Sequence, residues 1–121
     1  MQIFGAYCSA AWSKRFEGSL KPGQYFGNGE TFLFSIAPKA VKYEWVGKHR
    51  DASHLSAGQQ LFLSATSHCF SVGGGTSIGL YIDENLSRGE SHSCDSFENE
   101  PLTQSNSTYF DISVVEVISF C

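Results

Sequence analysis

Period-two alternation of apolar and polar residues, cut at short intervals by glycine or proline, most restricts the folds open to this chain. Val41-Lys42-Tyr43-Glu44-Trp45 alternates cleanly, as a half-buried antiparallel strand does. Residues 30–36 place Phe32, Phe34 and Ile36 on one face, and Pro38 ends that run. Further strand-like runs occupy residues 2–8, 61–63, 68–72, 78–82 and 112–120. Lys21-Pro22-Gly23 and Gly27-Asn28-Gly29 are turn chemistry, since Pro fixes φ while Gly and Asn tolerate positive φ. Helix is scarce: Ser9 is placed to cap a short turn over residues 10–12, with Trp12 and Phe16 on one face. About seven short strands with little helix predict a mainly β (α+β) fold, two packed antiparallel sheets forming a β-sandwich with short peripheral helices.

Charge narrows the functions. The 121 residues hold 8 Lys+Arg against 12 Asp+Glu, a net charge of −4, with the basic residues scattered. A phosphate backbone needs a clustered basic face, so nucleic acid is excluded as a partner. Lys14-Arg15 and Lys48-His49-Arg50 are too short to anchor an anionic membrane, and no apolar run has the length of a span. The N-terminus lacks a basic segment followed by an apolar one, so the chain is expected in the cytoplasm. Cys8, Cys69, Cys94 and Cys121 are then expected as free thiols, and the sequons at Asn85 and Asn106 as unmodified. Charged residues make up only 17% of the chain, below the roughly 25% usual in globular domains, as in a surface that something covers.

Motifs for catalysis are present in letters and absent in context. Gly75-Thr76-Ser77-Ile78-Gly79 spells a nucleophile elbow, yet a strand follows where the elbow needs a helix, and Ser77, Asp83 and His92 lie too close in sequence to converge as a triad. Gly73-Gly74-Gly75 lacks the Gly-Lys-Ser/Thr ending of a phosphate loop and reads as a tight turn, a bulge or a close approach of backbone. His68-Cys69 and His92-x-Cys94 do not have zinc spacing, and the acidic clusters at residues 83–85 and 95–100 do not have calcium-loop spacing; no metal or cofactor is expected. Cys94 with His92 two residues away is a redox candidate, because a cationic imidazole lowers a thiol pKa.

Two features point to an interaction surface. The irregular residues 83–106 exceed the usual loop length and contain Phe97, Pro101 and Leu102, so they are expected to pack as a lid rimmed by carboxylates. If residues 112–120 form a regular strand, Glu116 shares a face with Ile112, Val114, Ile118 and Phe120, and a carboxylate buried there must be paired or hydrogen-bonded.

Several ordered motifs resemble the C-terminal three-quarters of a TLDc domain. They are Phe4-Gly5-Ala6, residues 27–34, Gly79-Leu80-Tyr81-Ile82-Asp83-Glu84-Asn85-Leu86, Gly89, Ser91 and residues 94–102, with Val115-Glu116-Val117 fitting the closing strand. Tyr43-Glu44-Trp45-Val46 and the Ser-His-Cys run before the glycines are most similar to the subgroup joining a TBC-type Rab-GAP domain to a C-terminal TLDc. Departures are Ile118 in place of a Trp, Thr31 in place of a frequent Cys, Glu98 in place of an Asn, and Thr76-Ser77 interrupting a longer glycine run. On this resemblance residues 1–121 are a partial TLDc domain lacking its N-terminal portion, and some of the ten Phe, two Trp and five Tyr should lie uncovered.

The resemblance implies a non-enzymatic interaction module of oxidative-stress protection or vesicle trafficking. Its implied protein partners are vacuolar-type proton-pump subunits or a Rab-family GTPase pathway, reached from the cytoplasm or peripherally on organelle membranes. Binding is assigned to Asp83, Glu84, Gly89, Ser91, Asn99 and Glu100, as docking or loop-shaping residues, with Glu116 beneath. The alternatives are thiol chemistry at Cys94 with His92, and an accessory role that positions a TBC GTPase-activating domain.

Overall fold

The computed structural model describes residues 1–12, 24–66, 68–104 and 107–119. Their β-strands fall into two antiparallel sheets. The smaller contains β1 (Ile3–Tyr7), β3 (Phe32–Ala37) and β4 (Val41–Glu44), in the order β1-β3-β4. The larger contains β2 (Tyr25–Phe26), β5 (Leu63–Ala65), β6 (Cys69–Val72), β7 (Leu80–Asp83), β8 (Arg88–Glu90) and β9 (Tyr109–Asp111), in the order β2-β5-β6-β7-β8-β9. Short 3-10 turns at Ala52–His54 and Gly58–Gln60 lie outside the sheets. The mainly β, two-sheet architecture expected from alternation is the one observed. Phe16 lies outside the described residues.

One core joins the layers. Leu33 of β3 packs with Leu63, Val72 and Leu80 of the larger sheet, and Phe97 and Leu102 of the long connection complete the cluster. Phe4 meets Phe110 at 5.0 Å between ring centroids and Trp45 meets Phe62 at 5.4 Å, two aromatic contacts bridging the sheets. Burying a Leu or Phe side chain contributes roughly 1.5–3 kcal/mol, so this cluster dominates the stability.

The face that β3 turns inward carries Thr31, Leu33 and Ser35. Phe32, Phe34 and Ile36 do share a face, but it is the outer one, where Phe32 stacks on Tyr7 at 5.2 Å and the Lys42 ammonium sits 4.4 Å from the Phe32 ring centre. Pattern fixes which residues share a face; which face is covered is decided by what stands opposite.

The last expected strand is corrected. Regular pairing stops at β9, whose final link is Ile112 N–H donating to Ser87 O at 2.8 Å. Residues 114–119 then run on outside either sheet, with Val114, Val117 and Ile118 exposed. Glu116 is exposed with them, so it is not the buried carboxylate expected. The physical reason is that, among the described residues, no strand pairs with this segment to form its ladder.

Candidate functional site

Residues 83–104 connect β7 to β9 and carry most of the nominated residues. Asp83 ends β7, and its carboxylate accepts hydrogen bonds from Ser87 N–H at 3.0 Å, Arg88 N–H at 3.3 Å and Ser87 Oγ–H at 3.3 Å. These bonds, the Ser87 amide foremost, hold its carboxyl below the ordinary range. Asp83 therefore closes the turn that leads into β8. Glu84 at the tip is exposed and pairs with His68 Nδ1 at 2.9 Å.

Strand β8 begins at Arg88 and is centred on Gly89. A Cβ at Gly89 would lie 2.4 Å from Tyr81 O and 2.6 Å from the Phe110 ring, so only glycine lets β7 and β9 close on it. Arg88-Gly89-Glu90 has no apolar alternation, which is why this strand left no trace in the sequence pattern.

The connection after β8 is held by polar side chains buried inside it. Ser91 Oγ donates to Gly79 O at 2.6 Å and accepts from Leu102 N–H at 2.8 Å. Asn99 Nδ2 donates to His92 O at 3.0 Å and Glu100 O at 2.8 Å, while its Oδ1 accepts from Cys94 N–H at 3.2 Å and the Cys94 thiol at 3.1 Å. Ser96 Oγ donates to Leu61 O and accepts from Gly74 N–H, and Thr103 Oγ1 donates to Ser107 O. Phe97 and Leu102 enter the core, so the connection packs as the expected lid. Ser96 and Thr103 were not singled out in the sequence, since a buried serine or threonine in a polar stretch has no distinguishing pattern.

The glycine run receives this lid. Gly73 and Gly75 have φ of 81° and 101°, and Cβ atoms there would meet Cys94 Sγ at 2.7 Å and Asp95 at 2.3 Å. Asp95 in turn accepts from Thr76 N–H at 3.2 Å. The run is a close approach between two connections, and β7 follows it, without the helix that an elbow needs.

Of the residues nominated for binding, Gly89, Ser91 and Asn99 are buried and shape the loop, and Asp83 shapes the turn. Glu84 and Glu100 are exposed, joined by Glu98, whose carboxylate meets Arg50 at 3.3 Å. The spacing that suggested a thiol pair is not realised as one. His92 Nε2 lies 3.0 Å from Glu90, while the Cys94 thiol is turned inward, 3% exposed, with its pKa raised by burial. Cys8, Cys69 and Cys94 are free thiols. Among the described residues, no three His, Cys, Asp or Glu side chains converge as metal ligands. Two open hollows, of about 390 and 340 Å³, adjoin the lid, the first lined by Ser56, Gln59, Ser93, Cys94, Asp95 and Glu98. The polar walls of the first are unlike the mostly apolar walls of small-molecule sites.

For the chain that forms this lid and the two antiparallel sheets, the comparison by sequence is direct: the TLDc domain model matches residues 1–121. The chain belongs to the TLDc family. It is 44% identical over 124 residues to the GTPase-activating protein skywalker of Drosophila melanogaster, a match covering 98% of this chain and 20% of that protein. TBC1 domain family member 24 of Xenopus tropicalis is 27% identical, with 98% of this chain and 27% of the relative covered. Oxidation resistance protein 1 of Bos taurus is 31% identical, with 98% and 12% covered. This TLDc chain thus spans about a quarter or less of the curated relatives that it matches. Among its described residues no helix is long and apolar enough to cross a membrane.

Proposed function

We propose that this chain is a non-enzymatic interaction module that docks a basic protein surface against the exposed carboxylates of its lid, Glu84, Glu98 and Glu100. The observation that supports this is the use of the lid's buried polar groups. Ser91, Ser96, Asn99 and Thr103 bond to their own and neighbouring backbone, so the rim is held in one shape before a partner arrives. A surface already ordered loses little further conformational freedom on binding. A TLDc module linked to oxidative stress and trafficking fits relatives named for oxidation resistance and for GTPase activation.

The partner class that we propose is a subunit of the vacuolar-type proton pump, carried over from the family resemblance. The test is capture of purified pump subunits by the chain and by a Glu84→Lys, Glu100→Lys variant. Both positions are exposed, so folding is preserved while the rim changes sign. Loss of capture is expected; unchanged capture sinks the reading. The similarity to skywalker favours a second reading, in which the module positions a neighbouring GTPase-activating domain. Activity of such a domain measured with and without this module separates the two.

A further inference from the structure

Asn28-Gly29 is the only Asn-Gly pair in the chain, and it sits in the turn that leads into β3. Asn28 O accepts from Thr31 N–H at 3.1 Å, and Asn28 N–H donates to Ser9 Oγ at 2.8 Å, so this turn is tied to the residues that follow β1. The Asn28 side chain is exposed. Its Oδ1 accepts from Glu30 N–H at 2.9 Å, an Asx turn that curls the side-chain amide around the Asn28–Gly29 peptide. Among the described residues, no acceptor takes the Gly29 N–H.

Glycine at position 29 is imposed by packing. A Cβ there would lie 2.2 Å from the Trp45 ring, which is held by its indole N–H donating to Gln59 O at 2.7 Å and by its edge contact with Phe62. The Gly29 nitrogen is therefore left without a side chain to shield it from its neighbour.

These features assemble an intramolecular reaction. The Gly29 nitrogen is the nucleophile and the Asn28 side-chain carbonyl carbon is the electrophile. Charge that develops on Oδ1 during the attack falls on the oxygen to which the Glu30 amide already donates, and a fixed backbone N–H in that position stabilises an oxyanion.

We propose that Asn28 is a site of spontaneous covalent modification, at which ring closure onto Gly29 proceeds within the folded turn. The bond between Gly29 N and Asn28 Cγ forms, the Cγ–Nδ2 bond breaks, and Nδ2 leaves as ammonia with the Gly29 amide proton. Water then opens the succinimide at either carbonyl, giving aspartate from one and isoaspartate from the other. Either product sets a carboxylate near Glu30, whose own carboxylate pairs with Lys48 at 2.7 Å. Isoaspartate also lengthens the main chain by a methylene between the bonds to Ser9 and Thr31, which slackens the tie between the end of β1 and the start of β3. This chemistry does not depend on docking at the acidic rim.

The test is peptide mass mapping of the intact chain held in mildly alkaline buffer, with isoaspartate counted by methyl labelling from an isoaspartate-specific methyltransferase. A synthetic peptide of residues 24–34 is the reference, since it carries the same pair without the fold. The expected result is conversion at Asn28 ahead of Asn85, Asn99 and Asn106, to both aspartate and isoaspartate, at a rate no lower than in the peptide. Asn28→Gln, one methylene longer at an exposed position, is expected to keep the fold and lose the conversion. Asn28 left intact, conversion slower than in the peptide, or aspartate without isoaspartate overturns the proposal, and so does ammonia release that is undiminished in Asn28→Gln.

Discussion

Asn99 is the residue on which the lid's shape turns. Its amide serves four hydrogen bonds, to Cys94 N–H, the Cys94 thiol, His92 O and Glu100 O. Replacing it by Ala leaves the buried Cys94 amide and the part-buried His92 and Glu100 carbonyls without these partners, at about 1–3 kcal/mol for a fully buried group. Asn99→Ala is expected to lower stability by about 3 kcal/mol, read as a shifted midpoint in urea with an unchanged slope. Cys94 gives a second residue-scale outcome. Burial raises its pKa and hides its sulfur, so alkylation at neutral pH is expected to be slower there than at half-buried Cys69. Faster reaction at Cys94 would restore the thiol chemistry that His92 suggested. Ser91 and Asn99 were legible in the sequence through the family motif and not through their chemistry. A pattern marks a position, while the choice between docking and shaping rests on burial that only the packed lid creates.

Each strand was legible where side chains alternate and illegible where the backbone does the work. β3 and β4 announce themselves, whereas β8 is set by Gly89 and by the Asp83 turn before it. Gly89→Ala puts a carbon 2.4 Å from the Tyr81 carbonyl, and overpacking of this kind costs roughly 1–3 kcal/mol or more. Amide exchange is expected to speed up in β9 and spare β5, since the damage lies at the β7-β8-β9 junction. The turn itself is pH-sensitive. Because Asp83 has its carboxyl lowered below its ordinary value of 3.8 in the fold, its stabilising effect is complete above that value and lost as pH falls through the lower folded one. The Ser87 and Arg88 amide resonances are expected to move together, with a midpoint below 3.8, and to stop titrating in Asp83→Asn. Glu116 was misplaced for an element-scale reason: alternation assigned it a strand, and a strand requires a neighbour as well as a pattern.

At the scale of the molecule, the low share of charge becomes specific. The carboxylates of Glu84, Glu98 and Glu100 are exposed, while Ile3, Tyr7 and Ile36 leave apolar surface on the outer face of the small sheet. Capture at the acidic rim is a separate matter and should weaken as salt rises from low to physiological strength, since exposed charges are screened over ~10 Å at 0.1 M. Pull-down across a salt series checks it, and salt-independent capture would point to the apolar face. The lid's self-sufficient interior has a consequence of its own. Glu84 and Glu100 project from the lid while buried side chains hold it in shape, so their identity can change without refolding what carries them. Recognition and foldability are thereby uncoupled at this surface. A single frame can be refitted for partners of quite different chemistry by exchanging a few outward side chains.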